Sequence, residues 1–237
     1  FQRHAVQTLI RELSGLRAAL DGAGGCLLEW LLVRFHVENL KVLLRAVMAK
    51  LPFEQVRMHL VELPGTLALD AAALAGVDSP RALLEPVLRE SPFRHALDRT
   101  LAAESDAPRP FFCEAALDRT YLVELLARAG RLAGDDREEI VSLAQQEADT
   151  FHLMLVARGR FSHGFTRDEL LPFHIAATRI PRARFAAMLA DADLRTAMNR
   201  AVGRALDELP PERGAEEAAS TLDASTIEAL AWQRFAR

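Results

Sequence analysis

Cysteine is scarce in this chain: Cys26 and Cys113 are the only two among 237 residues. Two thiols make no disulfide framework, and a reduced, cytosolic setting is the simpler expectation. Alternating runs of β-branched and aromatic residues are nearly absent, which argues against strands. No apolar run approaches the ~20 residues needed to cross a bilayer. The densest, Cys26 to Val33, is interrupted by Glu29 and closed by Arg34. Nor does one sign of charge dominate, and a net charge of −4 gives no support to nucleic-acid binding by bulk attraction. Neither a Gly-x-x-x-x-Gly-Lys-Ser/Thr phosphate loop nor a Gly-x-Ser-x-Gly elbow is present. The opening Phe1-Gln2-Arg3-His4 leads into an amphipathic pattern rather than a secretory signal. It starts without Met, and the last helical pattern runs into Arg237 with no stop signal, so a chain truncated at both ends is expected.

What remains is a composition with 50% apolar and 26% charged residues, that of a folded globular body rather than a disordered one. Its length allows one full core or two of roughly 100 residues each. Ala, Leu, Arg and Glu dominate, all good helix formers, and the expected fold is all-α. A first helix over 2–20 is expected to close at Asp21-Gly22-Ala23-Gly24-Gly25, a turn or C-cap cluster. A long helix over roughly 26–50 follows and stops at Pro52. Around Leu27, Leu28, Trp30, Leu31 and Leu32 it is apolar on almost every side, so that end is expected to be deeply buried. Ser79-Pro80 and Ser91-Pro92 each set a serine N-cap before a proline and mark two short helices. Ala107-Pro108-Arg109-Pro110 is the best candidate boundary, followed by helices at about 113–132 and 136–158. Thr166 to Glu169 and Ser225 to Glu228 read as capping boxes, and Pro210-Pro211-Glu212-Arg213-Gly214 as a second linker.

The stretch around Asn39 recurs, weakly but in register, around His152. The offset is 152 − 39 = 113 residues, and it also maps Leu40 onto Leu153 and Arg45 onto Arg158. A period that long exceeds solenoid repeats and points to a duplicated helical lobe. Tandem lobes are expected at 1–107 and 108–214, with the start of a third at 215–237.

Asn39-Leu40-Lys41-Val42-Leu43-Leu44-Arg45-Ala46 resembles the NLK–LLRA signature of the C/d family of central-stalk proteins in V-type and A-type rotary ATPases. The second copy is similar to that family's E-x-D-x-x-N form, carried here by Glu147, Asp149, His152 and Arg158. The segment Leu117 to Leu126 is similar to the LD–YF–LL stretch that precedes it. This chain departs from the pattern at His36, in the usual acidic position, at Arg34, in place of a glutamate, and at His152, in place of asparagine. The resemblance implies a funnel of helical lobes at the foot of a central stalk, itself non-catalytic and without cofactor or small-molecule substrate. Its implied partners are the rotor axle subunits and the membrane proteolipid ring, which makes it cytoplasmic and peripheral to the membrane. Asn39, Lys41, Arg45, Glu147, Asp149, His152 and Arg158 become the structural or partner-contact candidates.

Helical geometry constrains those candidates independently. Positions 149 and 158 are nine apart and point to opposite sides of one helix, so Asp149 and Arg158 must each meet something else. Tethers between neighbouring elements are the sharper reading, and ordinary solvated charges the bland one. Asp135-Asp136-Arg137-Glu138-Glu139 superficially matches the acidic diphosphate motif of all-α isoprenoid synthases, which would need Mg²⁺. It also opens a helix after Gly134, where acids are favoured by the macrodipole. That enzyme, and an unrelated helical-repeat scaffold, are the alternatives to the stalk protein. His152, His163 and His174 are evenly spaced, but Gly159, Gly164 and Pro172 are expected to interrupt any continuous helix and keep them from converging on a metal. Cys113 reads as a buried structural cysteine. Trp232 and Phe235 read as core or lobe–lobe contacts, and Arg179, Arg182 and Arg184 as a solvated helix start.

Overall fold

A computed structural model describes residues 2–74, 76–84, 88, 91–103 and 108–202. Every regular element among them is helical, as the composition requires. They fall into two compact units that divide between Gly134 and Asp135. The linker at 210–214, the capping box at Ser225, Trp232, Phe235 and the expected third lobe lie outside the described residues.

In the first unit, helix α1 (Gln2–Ala19) turns its Val6, Ile10 and Leu13 face onto Leu32, Phe35, Val61, Leu63 and Leu67. Arg17 in its last turn favours the negative end of the helix dipole. Helix α2 (Gly22–Met48) starts earlier than its sequence suggests, because the expected breaker Gly22–Gly25 forms its first turn. Two facts explain the difference. Gly22 opens the helix with a φ of +64°, a left-handed conformation that glycine takes without steric cost. At Gly25 a Cβ would collide with the Leu20 carbonyl, so glycine permits the close approach there.

α2 is buried on several sides because more than one element covers it. α1 packs along it, and α6 (Pro110–Ala129), with proline in its first turn, packs along another side. α6 also contacts α5 (Pro92–Ala103). Trp30 marks the centre: its ring stacks between Phe93 at 5.9 Å and Tyr121 at 6.0 Å, and its Nε1 donates to the Tyr121 carbonyl at 3.0 Å. The Arg128 guanidinium lies 4.6 Å over the same ring. Between α2 and α5 run the one-turn helices α3 (Phe53–Val56) and α4 (Ala71–Leu74), with 3₁₀ turns at Arg57–His59 and Gly65–Leu67. Ser91 caps α5, its Oγ accepting from the Phe93 N–H at 3.3 Å, and Cys113 on α6 is fully buried.

In the second unit, α7 (Gly134–Met154) does not end near Gly159. It continues as a π-helical segment, Leu155–Ser162, with Gly159 buried inside it. The His163 N–H reaches back five residues to the Arg158 carbonyl at 2.8 Å, the wide spacing of a π turn. Next come α8 (Arg167–Leu170), the 3₁₀ turn Leu171–Phe173, α9 (Arg182–Ala190) and α10 (Leu194–Val202). The capping box at Thr166 is present: Thr166 Oγ1 accepts from the Glu169 N–H, and the Glu169 carboxylate accepts from the Thr166 N–H. Phe185, Met188 and Leu189 of α9 fill the core with Leu170, Ile175 and Ile180. Among the described residues no helix is long and apolar enough to cross a membrane.

Candidate functional site

The two motif helices perform the same structural task, and they do it with different side chains. On α2, Asn39 is 2% exposed. Its Nδ2 donates to the Val61 carbonyl at 2.7 Å, and its Oδ1 accepts from the Val61 N–H at 2.8 Å. One amide thus satisfies both backbone groups of a residue in the loop that returns along the helix. Three residues earlier, His36 is buried and hydrogen-bonds the Leu67 backbone. Burial outweighs that bond and holds the His36 pKa below its ordinary value, so the ring is neutral at pH 7.

On α7, Asp149 and His152 occupy the places of His36 and Asn39, and both are fully buried. The Ile180 N–H donates to Asp149 Oδ1 at 3.0 Å, and the Ile175 N–H donates to His152 Nε2 at 2.9 Å. A neutral imidazole that accepts at Nε2 carries its proton on Nδ1, the side that faces Asp149 at 3.9 Å. His174 stacks on His152 at 4.8 Å, nearly parallel, and its Nε2 donates to the Ile180 carbonyl at 3.0 Å. Phe185 closes the cluster, 4.9 Å from His152. Two of the three evenly spaced histidines therefore do converge, because the return loop and not one continuous helix brings them together. His163 instead stacks on Phe165. Among the described residues no three metal-ligating side chains gather in a way that could hold an ion.

The equivalence runs beyond the helices. Leu67 and Ile180, the partners of His36 and Asp149, are separated by 180 − 67 = 113 residues, as the motif positions are. Several other positions past the π segment step by 114 instead. The left-handed residue that ends each long helix moves from Lys50 to Gly164, with φ +55° and +72°. α3 at Phe53–Val56 and its 3₁₀ turn at Arg57–His59 recur as α8 at Arg167–Leu170 and the turn at Leu171–Phe173. Ser79, whose Oγ accepts from the Ala82 N–H, recurs as Asp193, whose Oδ1 accepts from the Thr196 N–H. A π-helical segment is what one extra residue in an α-helix produces, so it accounts for the change of step.

Lys41 and Arg45, one turn apart on α2, meet Asp118 and Glu114, one turn apart on α6. Lys41 Nζ lies 2.6 Å from Asp118 Oδ1 and 2.9 Å from Glu38 Oε1, while Arg45 Nε donates to Glu114 Oε1 at 2.6 Å. The pairing runs in opposite chain directions and fixes α2 and α6 as antiparallel. Lys41 is buried, which disfavours its ammonium, but Asp118 and Glu38 outweigh burial and raise its pKa. Burial pushes the Asp118 carboxyl up, Lys41 pulls it down, and the net direction is upward, with Glu38 and Glu114 adding repulsion. Arg45 itself is exposed.

Of the sequence candidates, then, Asn39, Lys41, Asp149 and His152 are buried and make contacts within their own units. Glu147 is half-buried, and Arg45 and Arg158 are exposed. Sequence reasoning missed Trp30 as the ring hub, His174 as the partner of His152, and Glu114 with Asp118 as the counter-charges. The last pair carried a usable signal, two acids four apart matching two bases four apart. Asp135, Asp136, Glu138 and Glu139 are all exposed at the start of α7 rather than turned into a cavity. A cavity of about 380 Å³ lies elsewhere, lined by Trp30, His36, Leu67, Asp70 and Phe93 among others.

Compared with known families, residues 1–235 match the one described as ATP synthase (C/AC39) subunit. No curated protein matches the chain.

Proposed function

The chain belongs to the ATP synthase (C/AC39) subunit family of V/A-type ATPases, and on that premise we propose that it is a non-catalytic rotor adapter. In this reading it seats the central-stalk axle and rests on the proteolipid ring, at the cytoplasmic face and peripheral to the membrane. ATP chemistry and ion translocation belong to other parts of the complex, in the pumping or the synthesising direction.

The observation that supports the reading is the duplicated motif, at Asn39 and at His152, inside a match that spans nearly the whole chain. A transmitter of torque must resist bending, and each motif clamps a return loop onto a long helix by buried backbone hydrogen bonds. In the same reading the lobes at 1–107 and 108–214 are repeats of one body, with a third beginning at 215–237. Of the candidates, Arg45 and Arg158 are the exposed ones, and Arg45 is already bridged to Glu114.

The test is co-purification of the intact protein with the axle subunits and the proteolipid ring. The expected outcome is a stable complex that bridges both. Failure to associate with either, while the partners are folded and the protein keeps its helix content, refutes the adapter role.

A further inference from the structure

The cavity of the first unit lies between the Trp30–His36 stretch of α2, the loop at Thr66–Asp70 and the start of α5 at Phe93. At about 380 Å³ it falls within the size of small-molecule sites, roughly 300–1,000 Å³. Trp30, Val33, Leu67 and Phe93 give it an apolar wall. Of the described residues that line it, only Asp70 is charged at pH 7, because burial keeps His36 neutral. Asp70 Oδ1 accepts from the Ala72 N–H at 2.8 Å, and its second oxygen meets no donor among the described residues. The His36 ring donates to the Leu67 backbone, and its Nδ1 is buried without a partner, which leaves that nitrogen an acceptor. Both groups accept hydrogen bonds, so a ligand suited to them is a donor.

The second unit shows what such a donor looks like. Thr66 stands where that unit has Arg179, each one residue before the matched Leu67 and Ile180. Arg179 reaches from its loop to α7, where its Nη2 donates to Ser142 Oγ at 2.6 Å. A guanidinium on an apolar stem thus ties loop to long helix there. Thr66 is too short to make that crossing, and it lines the cavity instead.

We propose that this cavity is a binding site for a small organic cation, an amidinium or guanidinium on an apolar body. The body lies against Trp30 and Phe93, and the N–H groups meet the Asp70 carboxylate at the rim. Binding here needs no partner subunit, so the inference stands or falls separately from the adapter role.

The experiment titrates the full chain with benzamidine and follows the fluorescence of Trp30, in a Trp232→Phe background that leaves it the only tryptophan. A saturable change is expected with benzamidine, a weaker one with its neutral isostere benzamide, and none with benzoate. Thr66→Arg, which supplies the arginine of the second unit, abolishes the response while the melting temperature is kept, since Thr66 is exposed. Asp70→Asn keeps an equally good cap for α4 and weakens benzamidine about two- to fivefold, the worth of an exposed ion pair, without changing benzamide. The absence of a saturable response at millimolar benzamidine overturns the proposal. Benzoate binding as well as benzamidine overturns the cationic class, and binding that survives both variants assigns the ligand to another place.

Discussion

The first unit holds its return loop with one neutral amide, and the second holds the equivalent loop with an acid and two imidazoles. Asn39 satisfies both the N–H and the carbonyl of Val61. In the second unit that work is divided. Asp149 takes the Ile180 N–H, His174 takes the Ile180 carbonyl, and His152 takes the Ile175 N–H. Position for position, His36 and Asp149 even exchange polarity, the first a ring hydrogen-bonded to Leu67 and the second a carboxylate that accepts from Ile180. What the two motifs share is a buried polar side chain on a long helix that satisfies the backbone of a following loop. The side-chain chemistry is free to change as long as every buried backbone group finds a partner.

The largest effect is expected from His152→Ala. It strands the Ile175 N–H and removes a ring packed against His174 and Phe185, combining an unsatisfied donor with a cavity. A loss of about 3–5 kcal/mol is expected in urea unfolding. His152→Asn, the amide that serves in the first unit, restores an acceptor but not the ring stack, and recovers only part. Full recovery would mean that the stack contributes nothing. Asn39→Ala comes next, at about 2–4 kcal/mol, because two backbone groups lose their partner but little volume is removed. Asn39→Asp sharpens the comparison: it keeps the acceptor for the Val61 N–H and sets a carboxylate against the Val61 carbonyl. It should therefore lie closer to alanine than to wild type.

Much of this arrangement was legible in the sequence, and the parts that were not share a physical reason. The 113-residue echo, the helical class, the serine cap at Ser91, the capping box at Thr166 and the buried Cys113 were all readable, because periodicity and caps are local signals. The partners of Asn39, Asp149 and His152 were not, since a backbone N–H has no sequence signature and is found only once the loop is folded. The π segment was hidden because Gly159 reads as a breaker, whereas its burial inside the helix makes it a packing residue. The glycines at 22–25 misled in the same way: low helix propensity argues for a turn, and the close approach of Gly25 to Leu20 overrides it. The compact units divide at Gly134, while the sequence repeat was expected to divide near 107. α6 lies past that expected boundary in sequence, yet it packs on α2 and α5 within the first unit.

The seam between α2 and α6 allows a smaller test. Lys41→Met leaves Asp118 without its cation, and Asp118 is partly exposed, which limits the cost to about 1–2 kcal/mol. Adding Asp118→Leu removes the stranded charge, and the double variant should return close to wild type. If the double variant is as unstable as the single one, the ion pair is more than a replaceable contact.

The smallest effect is one of pH, and two groups of the first unit contribute to it with opposite signs. Burial lowers the His36 pKa, so the unfolded chain binds that proton more readily than the native one. Stability from this group is fully present above the ordinary histidine value of about 6.5 and is lost as pH falls toward the lowered native value. The slope inside that window is at most about 1.4 kcal/mol per pH unit for a single proton. Asp118 acts with the opposite sign and in a more acidic window, from its raised native pKa down to the ordinary carboxylate range, so acidification relieves its burial. The two are distinguished by comparing His36→Gln with wild type across pH 7 to 5. Glutamine keeps a donor for the Leu67 backbone but carries no titrating proton, so the wild-type curve should fall away from the variant's as the solution is acidified. Parallel curves would mean that the imidazole takes up its proton equally well in the folded unit, and that its burial against Leu67 carries no cost to the charged form.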